Sequence, residues 1–220
     1  MLTGFTSCAF KNVHRSKNIT YLRADAAINK PAQQLNIFAP AKHKGLNDVL
    51  IFVYGGSWNS GRKDIYNFFG TRWARKNVVT VIVDYPKSPK ANYDEMALNI
   101  AKSVKWVKEN VASYGGDPDR IFISGHSAGG HLAALVGIKN DYFMRVGIAN
   151  PLKGIVLIDA AGLDMYGYLK EEGFEPGNTY LNTFTNDPVQ WKAASPMYHL
   201  HTDMPPMLIY RGVKKYPSIE

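Results

Sequence analysis

Short apolar runs recur along the chain, and residues that favour turns bound each of them. Residues 34–38 (QLNIF) and 49–54 (VLIFVY) are rich in β-branched and aromatic side chains, which predicts two strands. Near-continuous apolar segments are typical of strands buried on both faces of a parallel sheet. Four later segments have this character, namely 78–83 (VVTVIV), 121–124 (IFIS), 154–158 (GIVLI) and 207–210 (MLIY).

Helical patterns separate these strands. Between 93 and 111, apolar residues recur at spacings of three and four, with lysines on the opposite side, which predicts an amphipathic helix. Residues 64–76 predict a weaker helix, and 127–138 predict a helix rich in small residues. Because strand and helix alternate from residue 49 onward, we predict a doubly wound, mostly parallel α/β sheet with helices on both faces.

The length of the chain indicates one domain. Its 220 residues are 45% apolar and contain no internal repeat, so we assign a single domain to 19–220 and a tail to 1–18. Residues 163–195 interrupt the alternation with glycines and prolines. We interpret this segment as an irregular, cap-like excursion that covers a site.

Charge and cysteine content give only weak indications of partners and location. The formal net charge is +8, but the basic residues are scattered, so we expect no nucleic-acid site. The opening MLTGFTSC resembles the end of a bacterial lipoprotein signal, although the stretch before Cys8 is too short to function as one. Either an upstream start is missing or the likeness is chance. Membrane contact is therefore expected only if Cys8 is lipidated, and the location stays open between cytoplasm and bacterial cell envelope.

The segment GHSAG at 125–129 lies between a predicted strand and a predicted helix. This is the context in which G-x-S-x-G forms a nucleophile elbow, a strained turn that exposes the serine hydroxyl. Glycine at 125 and 129 avoids collisions with the neighbouring strand and helix, and the helix directs its positive dipole end at the serine. Ser127 is the predicted nucleophile; the alternative is a purely structural tight turn.

A second glycine-containing turn, YGGSW at 54–58, follows the strand at 49–54. Acyl transfer places negative charge on the carbonyl oxygen, and amide N–H groups aimed at that oxygen stabilise it. We predict that the amides of Gly56, Ser57 and Ala128 form this oxyanion hole. The alternative is an ordinary Gly-Gly turn.

Four segments together resemble a known family: YGGSW, VIVDYP at 81–86, GGDPDRIFISGHSAGGHLA at 115–133 and SPMYHLHTDMPPMLIYRG at 195–212. They are similar to the landmarks of α/β-hydrolase fold serine esterases, in the branch with an H-G-G-x-W turn that includes carboxylesterases, lipases and kynurenine formamidases. The resemblance implies hydrolysis of a small-molecule ester or amide through an acyl-serine, with no metal or organic cofactor. Tyr54 stands where that branch has histidine.

The resemblance also requires a histidine that takes the serine proton, and none follows the last predicted strand. His126 is the neighbour of the serine, which the turn directs elsewhere. His131 shares a helix face with Ser127, and either packing or a role as general base is open. The remaining histidines precede strands and are expected at the opposite edge of the sheet: His14, His43, His199 and His201.

The acid of the triad is equally uncertain in the sequence. The family usually places an aspartate shortly after the strand that ends YRG, but Lys215 stands there. Asp164 is a weak substitute, with capping as its alternative role. Two explanations remain open. The chain is expected to be a truncated copy that lacks the last strand and helix of the fold, or a hydrolase-like binding protein without catalysis.

Overall fold

A seven-stranded sheet forms the centre of the computed structural model, which describes residues 12–25, 31–42, 45–172 and 180–212. The order of the strands across the sheet is β1-β2-β4-β3-β5-β6-β7. Their bounds are β1 Val13–Leu22, β2 Gln33–Pro40, β3 Asn47–Val53, β4 Val79–Val83, β5 Gly116–His126, β6 Leu152–Ile158 and β7 Met207–Tyr210.

The sheet is mostly parallel. β2 pairs antiparallel with both β1 and β4, whereas the strands from β4 across to β7 pair in parallel. Every residue of β4 is buried. Because successive side chains of a strand point to opposite faces, this burial means that both faces of the sheet are covered. The α/β class is confirmed.

Helices lie between the strands as the periodicity predicts. Their bounds are α1 Asn67–Ala74, α2 Tyr93–Asn110, α3 Ala128–Ile138, α4 Asp141–Arg145, α5 Met165–Glu172, α6 Leu181–Phe184 and α7 Pro188–Ala193. The Asn92 side chain caps α2 by accepting a hydrogen bond from the Glu95 amide at 2.9 Å, and Glu95 reciprocates. This capping box explains why the long amphipathic helix begins at residue 93.

The sequence missed β1. Its exposed and half-buried residues do not alternate cleanly, and it departs from regular pairing after Ser16. β1 crosses the 18/19 boundary that the sequence suggested for the tail. His14 therefore lies within a strand and not before one. It is at the start of that strand, at the edge of the sheet opposite the elbow, as we expected.

The last described strand, β7, has a different environment from the other predicted strands. Leu208, Ile209 and Tyr210 are 60%, 57% and 68% exposed, so the expectation of a strand buried on both faces is wrong for β7. Among the described residues, β7 is hydrogen-bonded to a neighbouring strand along one edge only, where it pairs with β6. In the part of the chain that the structure describes, no helix combines the length and apolar character needed to cross a bilayer.

Candidate active site

Ser127 occupies a strained turn between β5 and α3. Its φ is 53° and its ψ is −125°, a combination of backbone angles that residues other than glycine rarely adopt. Neighbouring backbone holds it there, because the Ser127 amide donates to the Ile158 carbonyl at 3.0 Å. The Ser127 carbonyl in turn accepts from the amides of His131 at 3.1 Å and Ala161 at 3.2 Å. Such strain persists only where the surroundings fix the backbone, as they do here.

The two glycines of the elbow occupy positions that have no room for a side chain. A β-carbon at Gly125 would lie 2.7 Å from the Gly130 nitrogen and would overlap the Gly129 carbonyl. A β-carbon at Gly129 would lie 2.6 Å from the Tyr54 carbonyl carbon and would overlap the Val53 carbonyl. Since real β-carbons do not approach backbone this closely, the turn requires glycine at both positions.

The 54–58 turn lies directly against the serine. A β-carbon at Gly55 would be 3.0 Å from the Ser127 β-carbon and 2.8 Å from the His126 carbonyl oxygen. Gly56, Ser57 and Trp58 all have positive φ, at 134°, 48° and 59°. The turn therefore curls back over the elbow instead of continuing away from β3.

Three amides at this junction are free to bind an oxygen. In the described part of the chain, the N–H groups of Gly56, Ser57 and Ala128 donate to no partner. Ala128 is the first residue of α3, where amides have no acceptor within the helix. Ser57 is exposed and Ser127 is half-buried, so a ligand can reach both. These are the features that an oxyanion hole requires.

Asp84 anchors the turn from the end of β4, a role that sequence reasoning missed. Its carboxylate accepts from the Tyr54 hydroxyl at 2.7 Å and from the Lys63 amide at 3.0 Å, and it pairs with the buried Lys63 ammonium at 3.3 Å. The Tyr85 hydroxyl donates to the Tyr54 carbonyl at 3.0 Å. Burial, and then the Asp84 carboxylate, raise the pKa of Tyr54 far above its usual value. Tyr54 is thus a neutral hydrogen-bond donor that fixes the start of the turn.

His131 is a structural residue between the turn and α3. Its Nδ1 accepts from the Trp58 indole at 3.2 Å, and its Nε2 donates to the Ala194 carbonyl at 2.7 Å. Both ring nitrogens are therefore occupied, and the ring is neutral. Burial lowers the pKa of His131 from 6.5 to about 4, against a smaller opposing effect of the Ala194 hydrogen bond. This environment favours packing over the general-base alternative.

Acid should weaken the fold through His131. The unfolded chain takes up a proton at His131 more readily than the folded chain, so this contribution is complete above pH 6.5 and is lost as the pH falls towards 4. The full loss is about 3 kcal/mol of unfolding free energy, of which about 2 kcal/mol is reached by pH 4.5. Urea unfolding at pH 7 and pH 4.5 measures it. His131→Gln should remove this part of the pH dependence, whereas exposed His14→Gln should retain it; equal dependence in both variants would contradict the assignment.

No hydrogen bond joins the side chain of any other described histidine to the Ser127 hydroxyl. The His199 Nε2 contacts the Ala193 carbonyl at 2.9 Å, and the His201 Nε2 contacts the Ile138 carbonyl at 2.9 Å. Ile138 ends α3, at the edge of the sheet opposite the elbow. The His126 Nδ1 is buried without a hydrogen-bond partner among the described residues. His43 lies outside the described residues.

Asp164 is at the start of α5, where its carboxylate accepts from the Gly167 amide at 2.9 Å. This is the capping role that the sequence gave as its alternative. Asp159 follows β6 directly and accepts from the Gly212 amide, which joins it to the chain leaving β7. The acid of a triad therefore stays a prediction for Asp164.

The excursion contributes packing to this edge of the sheet. Phe184 is fully buried and lies edge-on to Trp58 with ring centroids 5.0 Å apart, and to His131 at 5.5 Å. Tyr180 also meets Trp58, at 5.5 Å. The helices α5 to α7 therefore cover the side of the 54–58 turn. Phe174, another aromatic of this segment, lies outside the described residues.

Comparison with known proteins agrees with this geometry. A family model described as BD-FAE matches residues 35–216. The chain is 34% identical to esterase LipQ of Mycobacterium tuberculosis over 179 residues, which cover 76% of this chain and 41% of LipQ. It is 27% identical to isoprenylcysteine alpha-carbonyl methylesterase ICME of Arabidopsis thaliana, over 86% of this chain and 47% of ICME. The chain thus spans less than half of these two curated relatives.

A solved structure shows the same fold. The structure of a truncated form of a carbohydrate esterase from gut microbiota superimposes with a TM-score of 0.76 at 20% sequence identity. The match covers 93% of this chain and 78% of that chain. At this identity the likeness establishes the architecture alone, and the architecture is that of the α/β-hydrolases.

Proposed function

The chain belongs to the BD-FAE family of α/β-hydrolases, and from this membership we propose that Ser127 is the nucleophile of a carboxylic ester hydrolase. The observation that carries the proposal is the position of Ser127. Its strained, accessible turn lies against the 54–58 turn, and the amides of Gly56, Ser57 and Ala128 at this junction have no acceptor among the described residues. The names of the relatives LipQ and ICME support an ester as the substrate class.

The reaction proceeds in two steps. The Ser127 hydroxyl oxygen attacks the ester carbonyl carbon, and its proton passes to a base while the carbonyl electron pair moves to oxygen. The amides of Gly56, Ser57 and Ala128 hold that oxyanion, each contributing about 3 kcal/mol. The carbonyl re-forms, and the alcohol leaves with the proton. Water then attacks the acyl-serine in the same way and releases the carboxylic acid.

No base for the Ser127 proton is identified among the described residues, where the His126 Nδ1 is buried without a hydrogen-bond partner. Among the described histidines, His131 has both nitrogens engaged, and His14, His199 and His201 lie elsewhere. We propose that residues 1–220 alone are catalytically incomplete, and that a histidine outside them completes the site beside β7. The exposure of Leu208 and Tyr210 supports this, because it leaves room for further chain at that edge.

Two other functions fit the same fold. Amide, formamide or peptide hydrolysis would use the same elbow, and a non-catalytic hydrolase-like binding protein would retain the pocket without a base. The observation that favours the binding protein is that no hydrogen bond joins a described histidine side chain to the Ser127 hydroxyl. The binding protein accounts less directly for the strain held at Ser127, which a protein without catalysis does not need.

Labelling by a fluorophosphonate probe tests the nucleophile. We expect covalent labelling of Ser127, slow in the chain of 220 residues and faster in a longer version of the protein. Intact-protein and peptide mass spectrometry locate the adduct. Ser127→Ala should abolish labelling, whereas Ser113→Ala, at an exposed serine remote from the elbow, should retain it.

The outcomes separate the proposals. Absence of adduct in both the short and the longer protein would contradict the esterase proposal and would favour a binding protein. Ester and amide hydrolysis are distinguished with p-nitrophenyl acetate and p-nitroacetanilide. Faster turnover of the anilide than of the ester would contradict the esterase proposal and would indicate an amidase.

A further inference from the structure

A basic cleft lies on the side of the molecule formed by β1 and α1. It has a volume of about 740 Å³, and five cationic side chains line it: Arg15, Lys17, Arg72, Arg75 and Lys76. No carboxylate is among the lining residues. The catalytic proposal uses none of these side chains.

The local structure explains why these cations converge. Arg15 and Lys17 are two residues apart on β1 and therefore share one side of the strand. On α1, Phe68, Arg72 and Arg75 recur at spacings of four and three, which places them on one face. The two elements meet so that exposed cations from each line a single concavity.

Three of the five cations in this cleft, Arg15, Arg72 and Lys76, have no carboxylate partner among the described residues. Other surface cations are paired: Arg120 lies 3.0 Å from Asp117, Arg145 lies 2.7 Å from Asp94, and Lys108 lies 2.6 Å from Asp119. Clustered like charges repel one another, so this cleft has a strong attraction for an anion.

Phe68, which lines the cleft, and Ile65, three residues before it, are both large exposed apolar side chains. Phe68 is 67% exposed and Ile65 is 54% exposed. Exposed aromatic and aliphatic residues next to arginine and lysine are characteristic of protein surfaces that bind the interface of a bilayer. A nucleic acid would be expected to use several aromatic rings for base stacking, but Phe68 is the one aromatic residue that lines the cleft.

We propose that the cleft between β1 and α1 binds the headgroups of an anionic phospholipid bilayer. The guanidinium groups of Arg15 and Arg72 donate hydrogen bonds to phosphate oxygens, and Phe68 and Ile65 enter the interface. Arg75 and Lys76 follow α1 as the chain enters β4, at the sheet edge opposite the elbow.

Vesicle co-sedimentation tests the proposal with the complete chain. Vesicles of phosphatidylcholine containing about one third phosphatidylglycerol should bind the protein, and vesicles of phosphatidylcholine alone should not. The triple variant Arg15→Gln, Arg72→Gln, Lys76→Gln should lower the partition coefficient roughly 100-fold, since each cation near an anionic surface contributes about five-fold. Phe68→Ser should lower it by at least about five-fold.

A matched control removes the same charge elsewhere. Lys90→Gln, Lys153→Gln, Lys192→Gln replaces three exposed lysines outside the cleft and should bind vesicles much more tightly than the cleft variant. Thermal unfolding verifies that both triple variants are folded. Equal loss in the two triples would show that net charge alone drives binding and would overturn the proposal. Binding to single-stranded RNA or an acidic polysaccharide without binding to vesicles would also overturn it.

Discussion

The chain of 220 residues is expected to hydrolyse p-nitrophenyl acetate at least about 10⁴-fold more slowly than a longer version in which a histidine reaches Ser127. In the proposed mechanism, substrate positioning and charge stabilisation by the amides of Gly56, Ser57 and Ala128 do not need that histidine, so both should remain in the short chain. Among the described histidines, none is hydrogen-bonded to the Ser127 hydroxyl: His131 is neutral, buried and doubly hydrogen-bonded, and the His126 Nδ1 has no partner. Initial rates of nitrophenol release, corrected for Ser127→Ala, measure the difference.

Added imidazole provides a second measurement on the short chain alone. An external base that reaches Ser127 should raise the rate of phosphonylation of wild-type protein, while Ser127→Ala remains unlabelled. Equal and fast ester hydrolysis by the short and longer proteins would contradict the prediction. His126 would then become the candidate base, because its Nδ1 has no partner among the described residues and lies close to Gly55.

Most of the strands were predictable because each is a run of apolar residues bounded by residues that favour turns. The segment at 207–210 coincides with β7, and the segment at 78–83 differs from β4 by one residue at its start. β1 was not predictable in the same way. It is an edge strand whose sequence, VHRSKNITYL, is mostly polar, so hydrophobic periodicity gives it no signal.

The candidate site also has a part that the sequence predicts and a part that it does not. Ser127 and the glycines of the two turns are local motifs, and their geometry follows from spacing along the chain. The contacts of Tyr54 with Asp84 and of Trp58 with His131 join residues 30 and 73 positions apart. Only the assembled sheet brings such pairs together. The segment VIVDYP could have indicated the role of Asp84. An aspartate directly after a buried parallel strand lies at the same edge of the sheet as the elbow.

The family resemblance and the structure make different contributions to the function. The GHSAG and YGGSW motifs predicted roles for Ser127 and for the amides of Gly56, Ser57 and Ala128, and the resemblance implied the ester or amide chemistry. The structure adds the reason that these atoms are held in position: the Ile158 carbonyl fixes the serine, and Asp84 fixes Tyr54 at the start of the turn. It also accounts for tyrosine at position 54, because its hydroxyl reaches the Asp84 carboxylate.

Gly129→Ala is expected to destabilise the protein by about 3 kcal/mol or more and to abolish probe labelling of Ser127. The added methyl would overlap the Val53 carbonyl and lie 2.6 Å from the Tyr54 carbonyl carbon, so α3 or the 54–58 turn must move. Either movement separates Ser127 from the oxyanion amides. For a chain of this length the midpoint of thermal unfolding should fall by roughly 10 °C, measured by circular dichroism.

Gly137→Ala is the matched control within the same helix. Its methyl would meet the terminal carbon of the Ile155 side chain at 2.5 Å, and that side chain can rotate whereas a backbone carbonyl cannot. Alanine also favours the helix by about 1 kcal/mol relative to glycine. We therefore expect a change within about 1.5 kcal/mol and unimpaired labelling. If Gly129→Ala behaved like Gly137→Ala in both measurements, the close approach of α3 to the 54–58 turn would not be what positions the nucleophile.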